Sequence, residues 1–297
     1  MANFSSQPRT SHIARTETPK NLSPELTQLP SLKALLQTND PRAESLLLQT
    51  HSLYSEAFDS AEIVPLETMR HNLALNLDSR DVFLGLKGDQ VVGAVHYSTE
   101  GYQQYRFAVG EYFYIAPECR SQGIGENLNL QFQAAMRSAG IDLVLTEVCD
   151  PYIMTADEIS QDKRVHDRLR FWCKLGYQTF DAPYISPYIL AQTDGYFDHG
   201  RLGFIPLTDF TSGTSSVGET PTISKGVYIG IILSYLASVV DLQTLCEDLR
   251  VSLLLKQIHD IVPGDQIRII PSDQERLFPQ DRDSLRQLLL SNESNTH

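Results

Sequence analysis

Two glycines, Gly123 and Gly125, stand where a strand-like run gives way to an apolar-periodic segment: Glu111-Tyr-Phe-Tyr-Ile115-Ala-Pro117-Glu-Cys-Arg120-Ser-Gln-Gly123-Ile-Gly125-Glu-Asn-Leu128. A strand that turns through glycine into a helix offers backbone N–H groups without carbonyl partners, at the positive end of the helix macrodipole. Glycine at 123 and 125 removes the Cβ atoms that would hold a bulky anion away. The turn spanning Ser121, Gln122, Gly123, Ile124, Gly125 and Glu126 is therefore a candidate pyrophosphate cradle. Two other phosphate cradles do not fit. Gly125 is followed by Glu126 and Asn127 rather than by Lys-Ser/Thr, and the third glycine of a dinucleotide fingerprint would fall at Leu128. Taken alone, a glycine pair that only shapes a tight turn is the plainer reading.

Other chemistries find little support. The four cysteines, Cys119, Cys149, Cys173 and Cys246, include no C-x-x-C pair and none has histidine at metal-ligand spacing, so no metal is expected. Sparse cysteines suit a reducing compartment. With 24 Lys+Arg against 37 Asp+Glu the formal charge is −13, which argues against a nucleic-acid partner held by counterion release and suits either plain solubility or attraction of cations such as amines. The longest apolar stretch, from Val227 to Val240, is too short for a bilayer, and the N-terminus lacks the apolar run of a signal peptide. No membrane association and a cytoplasmic location are expected.

The elements that must position the glycine turn can be read along the chain. Residues 1–28 are polar and turn-rich, a disordered tail. Ala43 to Phe58 reads as an amphipathic helix with Leu46, Leu47, Leu53, Tyr54 and Phe58 inward, and Pro65 opens a second helix through Leu66, Met69, Leu73 and Leu77. Val82 to Tyr97 reads as a hairpin turning at Gly88-Asp89, and Phe107 to Ile115 as a third strand. A helix from Gln122 to Gly140, a strand from Ile141 to Val148, a helix from Val165 to Leu175, and strands at Tyr177 to Phe180 and Ile185 to Ala191 follow. These place one domain over 29–207. The Ser/Thr/Gly-rich stretch 208–225 is a linker or long loop, and 226–297 a mainly helical C-terminal extension with a short strand read over Gly264 to Ile270, whose apolar helix, Val227 to Leu242, should pack on the core or on another subunit.

Arg120-x-x-Gly123-x-Gly125, after a strand ending Ile115-Ala-Pro117, resembles the acyl-CoA signature of the GNAT superfamily (Gcn5-related N-acetyltransferases). Leu169-Arg170-Phe171-Trp172-Cys173-Lys174-Leu175-Gly176-Tyr177 resembles that family's helix ending in a Leu-Gly-Phe-type turn, and the element order over about 43–191 matches. The resemblance implies an α/β (α+β) fold with a mixed, mostly antiparallel sheet, splayed beside the cradle and flanked by helices. It implies acetyl-CoA as co-substrate, its pyrophosphate on the N–H groups of Ser121 to Glu126, and its pantetheine along Phe113, Tyr114 and Ile115. Arg120 and Trp172 belong to the same cofactor set.

The activity so implied is transfer of an acetyl group to a primary amine, a small molecule being favoured, by direct attack on the thioester. An alkylammonium has a pKa of about 10.4, so a base must take a proton. Glu111, four residues before Ile115, matches the family's acidic position as base or water relay, and its parity with Phe113 and Ile115 would put all three on one face. An exposed carboxylate or a structural ion pair is the alternative there. Where the family often has tyrosine as acid this chain has Trp172, and where it often has asparagine this chain has Val165. Tyr177, Tyr152 or solvent are left to protonate the thiolate. Glu147, Asp150, Asp157, Glu158 and Asp162 read either as a solvated acidic loop or as a recognition lid for a cationic amine, and His96 and His166 as structural residues. The alternatives are a CoA-binding regulatory module without turnover, a protein lysine acetyltransferase, or a transferase of longer acyl chains. A homodimer is compatible with each.

Overall fold

The computed structural model describes residues 31–58, 60, 63–75, 79–187, 196–197, 200–208, 220–239, 246, 248–284 and 287. The expected tail over 1–28 and most of the Ser/Thr/Gly-rich stretch lie outside the described residues, as does Leu77.

The described residues begin with three helices. Helix α1 (Leu32–Gln37) starts at Ser31, whose hydroxyl accepts from the Ala34 N–H. Helix α2 (Ala43–Ala57) buries Leu46, Leu47, Thr50 and Tyr54, and α3 (Leu66–Leu75) buries Met69 and Leu73. They cover one face of a hairpin, β1 (Asp81–Lys87) and β2 (Gln90–Tyr102), which turns at Gly88 with φ +62°. Strand β3 (Tyr105–Ile115) ends at a 3-10 turn over Pro117–Cys119 and leads into α4 (Ile124–Ser138), whose Leu128, Phe132 and Met136 are buried against the opposite face. Then come β4 (Leu143–Cys149), α5 (Ala156–Gln161), α6 (Val165–Lys174) and β5 (Gln178–Phe180).

Beyond β5 the structure departs from the sequence reading. Of the strand expected over 185–191 the structure describes β6 (Ser186–Pro187), which pairs with β7 (Tyr196–Phe197) in a separate ribbon, and 188–191 lie outside the described residues. The strand that enters the main sheet is β8 (Gly200–Pro206), between β4 and β5. Its sequence, Gly-Arg-Leu-Gly-Phe-Ile-Pro, hid it, because two glycines and an arginine interrupt the apolar pattern that marks a buried strand. The main sheet has the order β1-β2-β3-β4-β8-β5-β10-β9, with β9 (Thr222–Ser224) and β10 (Gln266–Pro271); β3 against β4 is its parallel pair and the rest are antiparallel.

The C-terminal segment holds the expected helices, α7 (Lys225–Val239) and α8 (Leu249–Ile261), and the strand expected near 264–270, β10, which together with the unforeseen β9 widens the sheet. Tyr228, Ile231, Ile232, Tyr235 and Leu236 of α7 share one buried cluster with Phe107, Val109, Leu145 and Phe204. Gly230 is where α7 crosses β2, since a Cβ there would lie 2.1 Å from the Tyr102 ring.

Past β10 the chain is tied down by charge. Asp150, at 0% exposure, is bound by Arg201 Nη2 at 2.7 Å through one oxygen and by Arg276 Nε at 2.8 Å through the other. The remaining guanidinium N–H groups are mostly spent on carbonyls, Arg276 on Ala182 and Gly200 and Arg201 on Ser272 and Gln274. Removing the carboxylate would leave two arginines facing each other without a counter-charge. Asp150→Asn should therefore lower unfolding free energy by about 3–5 kcal/mol in urea denaturation.

His96, on the α2 side of β2, is buried at 7% exposure among Tyr54, Tyr112 and Tyr114, with Nε2 at 2.9 Å from the Tyr114 hydroxyl. Burial, helped by the charge of His51, lowers its pKa from 6.5 to about 3. The unfolded chain thus binds one more proton than the native chain between those values, so stability is present above pH 6.5 and falls as pH drops. Denaturation at about pH 7 and pH 5 should show a loss of about 1.4 kcal/mol per unit from this residue, which His96→Gln should abolish.

Candidate functional site

The site begins where two strands part. β3 and β4 pair at Phe107↔Leu143, Ala108↔Val144, Val109↔Leu145 and Gly110↔Thr146, and no further. From Glu111 onward β3 stays with β2, while Glu147 to Cys149 stay with β8. A bulge marks the parting: Tyr97 opposes Gly110 and His96 opposes Tyr112, which leaves Glu111 as the extra residue.

That bulge corrects the expected parity of Glu111. Tyr112 and Tyr114 pack toward α2, and Phe113 and Ile115 toward α4 and α6. Glu111 does not join Phe113 and Ile115. Its Oε1 accepts from Arg80 Nε at 3.1 Å, and its charge reaches the Tyr235 phenol on α7, which packs on the other face. Of the readings open for Glu111, the structure finds an ion pair, with the carboxylate side chain only 9% exposed and that of Arg80 34% exposed.

The glycine turn has the backbone geometry expected of it, with one change of reason. Ser121 has φ +61° and Gly123, the N-cap of α4, has φ +76°. Left-handed residues alternating with an ordinary one turn successive N–H groups toward a common concavity. Ser121 adopts this geometry without glycine's freedom, a conformation costing on the order of 1–2 kcal/mol. A Cβ at Gly123 would meet nothing within 4 Å, so there glycine serves the φ angle and not clearance; at Gly125 a Cβ would only reach ordinary contact, 3.5 Å from Ile115 and 3.6 Å from Phe113. Asn127 N–H takes the Gly123 carbonyl, so the N–H groups of Ile124, Gly125 and Glu126 are the ones that point out of the helix. No side chain plugs the space over Gly123 among the described residues.

The remaining residues are placed as follows. Arg120 folds back, its Nε donating to the Ile115 carbonyl at 3.0 Å, and Gln122 Nε2 donates to the Glu118 carbonyl at 2.7 Å. Glu126 pairs with Lys174 at 3.3 Å, tying α4 to α6 through an exposed pair worth little energy. Trp172 meets Phe113 edge-on at 5.4 Å and Tyr177 at 4.9 Å, and Phe171 lies 5.9 Å from Phe113, so aromatic rings of α6 line the α4 side of β3 beyond the parting. Tyr177 is brought into the core and not to the parting: it is 2% exposed, and burial raises its pKa against the opposing pull of Asn129. Such a phenol holds its proton, which fits poorly with the expected role as an acid.

Three acids of the stretch are held in ion pairs, while Asp157 is exposed. Asp150 is locked between two arginines, Glu158 caps α5 and pairs with Arg282 at 2.7 Å, and Asp162 pairs with Arg168. Arg282 holds the Glu158 carboxyl down to about 2. Glu147, by contrast, follows the last β4 residue paired with β3, Thr146. The Tyr184 hydroxyl donates to Glu147 and Tyr235 hydrogen-bonds it. Sequence reasoning grouped Glu147 with the acidic loop and missed both tyrosines; the strand position of Glu147, level with Glu111, was the available signal. His166 lies edge-on to Tyr152 at 6.1 Å. Among the described residues there is no cluster fit to hold a metal, and no helix is long and apolar enough to cross a membrane.

Comparison with known proteins bears on this geometry. No curated protein matches the sequence. Among solved structures, the chain is similar to Gcn5 from Tetrahymena (18% identity, TM-score 0.38, covering 63% of this chain and 100% of that one). It is also similar to Ard1 from Thermoplasma volcanium (15% identity, TM-score 0.36, 55% of this chain and 91% of that one). A third is an aminoglycoside 6'-N-acetyltransferase complexed with coenzyme A (15% identity, TM-score 0.37, 57% of this chain and 93% of that one). Residues 47–152, which run from within α2 to just past β4 and hold both the glycine turn and the parting, match the model of the acetyltransferase (GNAT) family.

Proposed function

We propose that the protein is an acetyl-CoA-dependent N-acetyltransferase acting on a primary amine. The observation that carries this reading is the parting of β3 from β4 after Gly110 and Thr146, next to a helix start whose N–H groups face open space over Gly123. The residues present suit the co-substrate: Ser121 to Glu126 would receive the pyrophosphate, and the edge of β3 from Phe113 to Ile115, which β4 no longer pairs, would receive the pantetheine amides. The thioester supplies an activated acetyl carbon with a good leaving group.

The chain's own residues then have to orient the amine and take its proton. Glu111, at the bulge, stands where an ammonium entering the parting would meet a carboxylate. Held in place by Arg80, it is the carboxylate that would take the proton, directly or through water. Attack forms the C–N bond and breaks the C–S bond; the amine gives up two protons in all, one to the base and one to the departing thiolate or to water. With Tyr177 buried, the second proton passes through solvent in this reading.

The same ion pair and the same buried phenol favour a second reading, a CoA-binding module without turnover. Free-thiol release with a panel of primary amines separates the two: release supports the transferase, and binding without release supports the module. Saturating acetyl-CoA, at about a hundredfold over its dissociation constant, should stabilise the protein by ~2.7 kcal/mol and raise the melting temperature. Gly123→Glu should abolish that shift while leaving the ligand-free melting temperature within a few degrees, because the new side chain faces open space but brings strain and a negative charge to the cradle. Glu111→Gln should keep the shift and lower kcat by about 10²–10⁴-fold.

A further inference from the structure

Resting on the placement of acetyl-CoA proposed above, we infer that residues 272–276 are a positioning strap for the cofactor slot, and that Asp273 is its positioning residue, holding the last turn of α6 so that Trp172 keeps its place against Phe113. Helix α6 is short, ten residues, and its two buried side chains, Val165 and Leu169, leave the last turn without a core anchor of its own. Three consecutive side chains fix that turn instead, each against a different element. Trp172 meets the Phe113 ring of β3 at 5.4 Å, Lys174 pairs with Glu126 of α4 at 3.3 Å, and the Cys173 thiol donates to Asp273 Oδ1 at 3.2 Å. The exposed Lys174–Glu126 pair contributes little. The thiol contact is the more fully built of the two polar ones. Burial first, and then Asp273, raise the thiol's pKa, so the proton stays on sulfur and faces the carboxylate, and the backbone N–H groups of Asp273 and Ser272 reach the same sulfur.

A group can position another only where it is itself held. Asp273 lies between two fixed neighbours: Arg201 Nη1 donates to the Ser272 carbonyl at 2.7 Å and to the Gln274 carbonyl at 2.8 Å. The carbonyl of Asp273 itself accepts from the Tyr152 hydroxyl at 2.6 Å. Arg276 closes the strap on the buried carboxylate of Asp150, which also binds Arg201. Hydrogen bonds shared in this way through one buried carboxylate rigidify the backbone they join.

The strap reaches the cofactor slot through one ring. Phe113 touches Trp172 on one side and the start of α4 on the other, where a Cβ at Gly125 would lie 3.6 Å from it. It also stands on the edge of β3 that β4 leaves unpaired, the edge that receives the pantetheine in the reading above. Closely packed side chains transmit displacement, so a last turn of α6 released from Asp273 would loosen Trp172, then Phe113, and with them the floor of the slot. This assigns a task to a segment that lies more than 100 residues beyond the family-matched region.

The test uses the full-length protein and two measurements, calorimetric titration with acetyl-CoA and the emission of Trp172, the chain's single tryptophan. Asp273→Ala should raise the acetyl-CoA dissociation constant about fivefold, as loss of one hydrogen bond would. Without cofactor, the same variant should shift Trp172 emission to the red and increase its quenching by acrylamide. Asp273→Asn, which keeps an acceptor oxygen, should restore both. Cys173→Ala should match Asp273→Ala, and the double variant should bind no more weakly than either single one. A lowered melting temperature in Asp273→Ala with affinity and emission unchanged would reduce the strap to a stabilising tail and overturn the inference, as would additive effects in the double variant. Asp273 is exposed, so its two variants decide the matter even where Cys173→Ala fails to fold. Binding without turnover leaves the comparison intact. Absence of acetyl-CoA binding in the unaltered protein would overturn the underlying reading and this inference with it.

Discussion

Everything that is chemical in this molecule depends on four ladder pairs being made between β3 and β4 and a fifth not being made. A parallel pair is held by evenly spaced slanted bonds, and nothing in the ladder itself calls for it to stop after Gly110 and Thr146. What stops it is the bulge on β3, which adds one residue against β2 at Tyr97/His96 and bends the strand away from β4. Each strand then keeps its outer partner, so separation costs few hydrogen bonds inside the sheet and leaves one strand edge on each side of a wedge. The glycine turn at the far end of β3 is useful only because that wedge leads to it.

The bulge also explains why the sequence was informative in some places and silent in others. The cradle was legible because its requirements are local: a positive φ at Gly123 and N–H groups at a helix start are decided within a few residues. The position of Glu111 was legible, but its surroundings were not. Strand parity carries Glu111 to the face of Phe113 only if the strand is regular, and the irregularity lies in its pairing with another strand. For β8 the obstacle was different. Arg201 inside a buried strand makes sense only with Asp150, 51 residues earlier, and with the carbonyls of Ser272 and Gln274, more than 70 residues later.

Helix α7 was visible as an apolar run, yet nothing in such a run says which side chain has a special duty. Tyr235 reads as one aromatic among many until the helix is laid across β2 and its phenol is found against Glu147. The C-terminal segment shows why the extent of this folded unit cannot be drawn from the family-matched residues alone. The match ends at 152, while Tyr184, Tyr235, Arg201 and Arg276, which position acidic residues near the wedge, all come later.

The sheet order has one further effect, on how the chain can be made. Strand β5 bonds β8 on one side and β10 on the other, and 85 residues lie between Phe180 and Gln266. Synthesis at about 5–20 residues per second leaves β5 with a naked edge for several seconds or more while its neighbour is still inside the ribosome. A nascent chain in that condition is open to pairing with another nascent chain, and chaperone cover over this interval is the natural remedy.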